Sequence, residues 1–201
     1  MSDRRTQLLD AAIQVLGTRG LRQLTHRTVD AEAGLPEGSA SNHFRTREAL
    51  ISGVLDRLVD RETELWGRLG GARPLDAEGL ATAAGAMITE LAGPGRAVTL
   101  ARYAIFHEAA FNPDLQRRIA SNRDRLAVWG VPLVAALGSA EPERHYRMLL
   151  DLVDGLLLNQ LASPTPTFDP ASSIRTFLRA VTSGLDQGSG LNLGARFDPE
   201  P

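Results

Sequence analysis

Residues 24–50, LTHRTVDAEAGLPEGSASNHFRTREAL, decide how this chain is read. Thr25 stands where an N-cap belongs, its hydroxyl available to an orphan backbone N–H. From it a short helix is predicted over residues 26–33, with Val29 and Ala33 turned inward and His26, Arg27 and Asp30 outward. Gly34 ends that helix, because glycine takes the left-handed backbone without a Cβ penalty. Pro36 suits the first turn of a second helix, residues 37–44, and pushes Leu35 out of the helical region. The outward residues of this second helix are small or polar: Glu37, Ser39, Ser41, Asn42 and His43. A helix so short buries little and makes more sense laid in a groove than packed in a core. Two helices around a glycine-containing turn form a helix-turn-helix, whose second helix enters the DNA major groove. Gly38 is read as a point of close backbone approach and Phe44 as core.

Working outward, Ser2 or Asp3 can cap a first helix that runs to Arg19, with Leu8, Leu9, Ala12, Ile13 and Leu16 as its apolar stripe. It completes a three-helix domain over residues 1–46. Arg4 and Arg5 at its start are either phosphate contacts or solvated charge. Thr46 caps a helix over residues 47–69, roughly 35 Å long, which crosses into a second helical domain, residues 47–186. We read it as a connecting lever. Gly70, Gly71 and Pro74 break the chain. Further helices are predicted over residues 76–91, 96–111, 113–137, 142–162 and 170–185, and Pro132 should kink or interrupt the third of these. From Gln187 a small, polar, proline-ended tail is expected to be disordered. The fold class is all-α.

Gly34, Leu35, Gly38, Ser39, His43, Phe44, Arg47, Glu48, Ala49 and Leu50 resemble the N-terminal signature of the TetR family of bacterial repressors. In words, that signature is Ala-Gly-aliphatic, a helix ending in His-Phe, then a basic residue, Glu and Leu. Two positions depart from it: Ser41 stands where the family often has a phosphate-contacting tyrosine, and Pro36 where it often has a serine cap. The resemblance implies a homodimeric, ligand-responsive transcriptional repressor on a palindromic double-stranded DNA operator. It also implies that ligand binding swings the connecting helix and changes the separation of two reading heads.

Composition narrows the class independently. The chain has 201 residues, 43% apolar, enough for a sizeable core. Its formal net charge of -2 means that any DNA contact depends on a local basic patch. All 22 basic residues are arginine, and cysteine is absent, which excludes disulfides, thiolate metal sites and a cysteine nucleophile. The N-terminus lacks the apolar core of a signal peptide, and no apolar run approaches the ~20 residues of a membrane span. A cytoplasmic protein without a membrane partner is expected. The segment His107-Glu108-Ala109-Ala110-Phe111 begins like a zinc motif but has phenylalanine at the second ligand position. With no phosphate-binding loop and no nucleophile elbow, we expect no catalytic residue, cofactor or metal.

The candidate DNA-binding residues are Thr25, His26, Arg27, Glu37, Ser39, Ser41, Asn42, His43, Arg45 and Arg47. Thr25, His26 and Arg27 begin a helix whose backbone N–H groups favour a phosphate. Arg45 and Arg47 read as phosphate clamps, which fix register without reading sequence. Asn42 and Glu37 have the hydrogen-bonding groups to read adenine and cytosine. A second site is drawn from the later helices: Tyr103, Phe106, His107 and Phe111, with Trp66, Met87, Trp129 and Met148 as companions. An apolar effector pocket and plain core packing both fit this set. Asp151 and Asp154 interrupt the apolar run MLLDLVDGLLLNQL, so they belong to a ligand site or to an ion pair, with Arg102 one possible partner. The last two helices offer Leu156, Leu157, Leu161, Ile174, Phe177, Leu178 and Val181 as a homodimer interface forming a four-helix bundle. Two rivals to the repressor reading stand. One is a DNA-binding protein without a ligand. The other is a helical small-molecule binding protein or enzyme that has lost DNA binding.

Overall fold

The computed structural model of the protein describes residues 3–69 and 76–182. Among the described residues there are nine α-helices, one 3-10 turn and no strand, so the all-α expectation holds. Helix α1 is Arg4–Arg19, the 3-10 turn Leu21–Gln23, α2 His26–Ala33, α3 Ser39–His43 and α4 Arg47–Leu69. They are followed by α5 Ala77–Ala92, α6 Arg96–Ala109, α7 Pro113–Ala136, α8 Pro142–Ala162 and α9 Pro170–Thr182. The predicted break at Gly70, Gly71 and Pro74, the end of the last helix at residue 185 and the tail from Gln187 lie outside the described residues.

Local chemistry sets most boundaries. Thr25 and Thr28 form a reciprocal capping box: the Thr28 N–H donates to Thr25 Oγ1 at 3.1 Å and the Thr25 N–H to Thr28 Oγ1 at 3.0 Å. Thr46 accepts from the Ala49 N–H at 3.0 Å, Asp76 from Gly79 at 2.7 Å and Asp169 from Ser172 at 2.9 Å. Gly34 ends α2 at φ 66°.

Several expectations change. The second helix of the motif starts at Ser39, not Glu37, because Gly38 sits at φ 96° and closes a turn over residues 37–38. A Cβ at Gly38 would meet only Ser41 Oγ, at 4.0 Å, so the glycine serves its backbone conformation rather than a close approach. Pro132 lies inside an unbroken α7. Helix α6 stops at Ala109, two residues early, and the turn that follows leaves Phe111 79% exposed.

Two apolar clusters organise the packing. The first joins α1, α2, Ala40 and Phe44 to the first half of α4, and takes in Val98, Ala101 and Ile105 of α6 and Leu115 of α7. The three N-terminal helices therefore share their core with α6. Contact there is close: a Cβ at Gly17 would stand 2.0 Å from the Ala97 carbonyl oxygen. The second cluster joins Leu65, α5, Val134, α8 and α9. Helices α5 and α9 meet as tightly, with Gly85 against Ala171 and a bidentate Arg175–Glu78 pair at 2.6 Å. Helix α4 is tied along its length. Arg57 reaches Asp10 of α1 at 2.9 Å, and Asp56 and Asp60 pair with Arg118 and Arg125 of α7 at 3.4 and 3.2 Å.

Candidate nucleic-acid interface and inter-helix clefts

The short helix α3 is held by a residue the sequence pattern placed on the outside. Asp30 of α2 is 2% exposed. Its two carboxylate oxygens accept from the Gly38 N–H at 2.8 Å and the Ala40 N–H at 2.6 Å, so they bind both sides of the start of α3. Hydrogen bonds to a charged acceptor are roughly twice as strong as neutral ones. Ala40 and Phe44 anchor the helix to the core, and Arg5 lies over the Phe44 ring at 5.3 Å. Five residues have almost no helical stability of their own. The orientation of α3 therefore depends on Asp30, Ala40 and Phe44.

What this mounting presents is polar. Ser41, Asn42, His43 and Arg45 are exposed, and Ser39 is half-buried with its hydroxyl on the Pro36 carbonyl at 2.6 Å. Ser41 Oγ returns to the Gly38 carbonyl at 2.9 Å, while the Asn42 side chain has no hydrogen-bond partner among the described residues. Glu37 and Arg27 face each other at 3.9 Å, both strongly exposed, a pair too solvated to contribute much stability. Thr25 and Arg27 are exposed at the α2 start, and His26 is half-buried beside them. Arg47 has a structural position as well. Its Nη2 donates to the Leu21 carbonyl at 2.8 Å and its Nε to the Leu24 carbonyl at 3.4 Å, which pins the first residue of α4 to the α1–α2 connection.

Five of the ten residues expected at a second site, Phe106, Asp154, Trp66, Met87 and Trp129, line two clefts. One, of about 600 Å³ and open to solvent, lies at the seam between the two apolar clusters, with Leu55 and Leu58 of α4 on one side and Leu150 and Val153 of α8 on the other. Phe106, Asp154, Glu62, Arg102, Asn122 and Leu126 also line it. The other, about 570 Å³ counting the space it shares with open solvent, is apolar and lined by Trp66, Met87, Trp129, Leu133, Tyr146 and Leu149 among others. Trp66 and Trp129 stack there, with ring centroids 5.6 Å apart.

The seam cleft contains an ion cluster across three helices. Arg102 of α6 pairs with Glu62 of α4 at 2.8 Å and approaches Asp154 of α8 at 4.0 Å. Asp154 also receives the Tyr103 hydroxyl, at 3.0 Å on its carbonyl and 3.3 Å on its carboxylate. Burial raises the Glu62 pKa above the ordinary carboxylate range, against the pull of Arg102 and with help from the Asp154 charge. Burial also raises the Tyr103 pKa and pushes Tyr146 up to about 12, so both phenols stay protonated. Arg102 Nε, Asn122 Nδ2 and Tyr146 Oη are buried without a hydrogen-bond partner among the described residues.

Several expected residues fall elsewhere. His107 is exposed on the α6 face opposite Ile105, Phe111 follows the end of α6, and Met148 is 43% exposed, so none of the three lines either cleft. Asp151 is exposed at the outer grooves of α8, and only Asp154 turns to the seam. Glu62 was missed, although its position is legible: it continues the α4 stripe Ile51, Leu55, Leu58 toward Leu65. Of the apolar residues expected at a dimer face, Leu157, Leu161, Ile174 and Leu178 are already buried within one chain. Leu156, Phe177 and Val181 stay partly exposed, next to Leu158 at 54%.

Comparison with known proteins bears on the whole chain. Residues 8–54 match the family described as bacterial regulatory proteins, tetR family, and residues 75–184 match the tetracyclin repressor-like C-terminal domain. The HTH-type transcriptional repressor KstR2 of Rhodococcus jostii (strain RHA1) is 39% identical over 59 residues, 29% of each chain, so the similarity reaches under a third of that relative's length. A TetR-family transcriptional regulator from a Rhodococcus species superimposes with a TM-score of 0.75 at 21% identity, over 90% of this chain and all of the other. The multidrug binding protein EbrR, solved in complex with imidazole, is 29% identical with a TM-score of 0.66, over 90% of this chain and 96% of its own. No helix among the described residues is long and apolar enough to cross a membrane, and no group of three or more His, Cys, Asp or Glu among them is placed to hold a metal.

Proposed function

The chain belongs to the tetR family of bacterial regulatory proteins, and from that premise we propose that it is a ligand-responsive repressor that binds a palindromic operator as a homodimer. The carrying observation is the mounting of α3. A five-residue helix is fixed at its start by a buried carboxylate and at its end by a buried ring, with Asn42 and His43 left exposed. Such a helix stabilises the fold little, and its precise orientation has a use in a groove. In this reading Asn42, His43 and Glu37 meet base edges. Ser39, Ser41 and Arg45 flank them, and Thr25, His26, Arg27 and the spare donors of Arg47 meet phosphates. Residues 1–46 form the reading head and residues 47–186 the effector and dimer domain.

The effector site is the pair of clefts. EbrR is described as a multidrug binding protein, and a small molecule between the helices is the corresponding proposal here. A ligand in the seam cleft touches α4 at Leu55, Leu58 and Glu62, and the same helix begins at Arg47, which holds the α1–α2 connection. Ligand binding represses or releases DNA only by preferring one arrangement of these helices. The leftover apolar face of α8 and α9, with Leu156, Leu158 and Phe177, is the proposed dimer contact. A gel shift on the DNA upstream of the protein's own gene tests the reading. Site-selective binding that weakens steeply with salt supports it, and sequence-blind or absent binding overturns it.

A further inference from the structure

The two clefts are neighbours with a common wall. Leu150 and Val153, one turn apart on α8, line both of them. Leu150 also borders the outer groove between α7 and α8, so three spaces converge on one side chain. The two chambers differ in chemistry. The apolar one is walled by the Trp66–Trp129 pair and Met87, and its one phenol, Tyr146, is 6% exposed. The seam chamber carries buried polar groups, and those left without partners among the described residues, Arg102 Nε and Asn122 Nδ2, are both donors. Asn122 is 7% exposed, so its amide is not satisfied by bulk water. Two unpaired buried donors call for an acceptor. Charge disfavours the simplest acceptor: a carboxylate would face the Asp154 and Glu62 carboxyls that already share Arg102, and Arg123, the other cation of the lining, is exposed. A cation would meet Arg102 and leave the donors unpaired.

Resting on the reading of the clefts as an effector site, we propose that Leu150 and Val153 form a passable partition within one elongated site. That site takes an uncharged amphiphile, with an oxygen acceptor at Arg102 and Asn122 and an apolar tail that passes Leu150 to lie against Trp66 and Trp129. The partition makes tail length the selected property. A short tail stays in the seam chamber, and a long one fills both.

The chain carries two tryptophans, and both stand on the tail chamber, so intrinsic fluorescence reports its occupancy directly. The probes are straight-chain methyl ketones of increasing length, with the carboxylate and the primary amine matching the longest. Affinity should rise about fourfold per added methylene and then level off when the second chamber is full. Tryptophan emission should stay constant for short ketones and shift once a threshold length is passed. In Leu150→Phe the long ketones should lose more affinity than the short ones, and the length threshold in tryptophan emission should disappear. Should that variant fold poorly, the length threshold in the wild-type protein decides alone. Emission that responds equally at every length, a carboxylate or amine that binds as tightly as the ketone, or no ketone binding at all overturns the proposal. DNA binding measured on the same samples separates the two claims. A ketone that binds with the threshold yet leaves DNA affinity unchanged supports the partition and removes the effector role. A ligand that releases DNA without touching the tryptophans does the reverse.

Discussion

The two apolar clusters are built to different degrees of filling. Around α1, the first half of α4 and α6, side chains such as Leu8, Ile13, Leu24, Leu50 and Ile105 are wholly buried. The second cluster has wholly buried residues too, Leu157, Ile174 and Leu178, but besides the seam cleft that both clusters border it holds the cleft at the tryptophan pair. A filled core moves as a unit, because packed interiors transmit strain rather than absorb it. An incompletely filled seam can repack at modest cost. In the proposed reading, the helices that hold α3 move as a unit, and the seam between the clusters yields when a ligand enters.

Truncations on the two sides should break or sharpen this contrast. Leu50→Ala should cost about 3–5 kcal/mol in urea denaturation, whereas Leu150→Ala, beside existing space, should cost less than about 2 kcal/mol. Equal costs would remove the distinction. Asp30→Ala leaves the Gly38 and Ala40 N–H groups without their acceptor and should cost about 2–4 kcal/mol, with DNA binding lost even where the protein stays folded. Gly130→Ala would place a Cβ 2.1 Å from the Tyr146 ring; we expect about 1–3 kcal/mol of destabilisation and an altered tryptophan emission as Tyr146 is pushed into the apolar cleft.

The smallest effect is a slope with pH. Burial raises the Glu62 pKa above the ordinary 4.5. Its folding contribution is then fully present below the ordinary value and lost as pH rises through the raised one. The stability of the wild-type protein relative to Glu62→Gln should fall as pH climbs from the carboxylate range toward neutral. A difference that grows with pH would mean that pairing with Arg102 outweighs burial.

The helices were legible because their signals are local. Thr25, Thr46, Asp76 and Asp169 cap within three residues of themselves, and α4 and α8 keep the bounds their apolar periodicity implies. Asp30 was not legible, because its partners lie eight and ten residues on, across a turn whose shape depends on Gly38. The pocket set mixed true neighbours with strangers for the same reason. Trp66 and Trp129 meet only through tertiary packing, while His107 and Phe111 share a helical spacing with core residues yet point outward. At Pro132, where a kink or an interruption was expected, α7 runs on without interruption.

The central claim is that residues 39–43 read DNA, and one measurement tests it most directly. Fluorescence anisotropy on the upstream operator fragment and on unrelated DNA of equal length, across a salt series, gives the specificity ratio. In the Asn42→Ala/His43→Ala variant, whose altered side chains are exposed, the fold should keep its stability. The ratio should fall roughly 10- to 100-fold, with the residual binding still salt-dependent. An unchanged ratio in a folded variant would contradict the account.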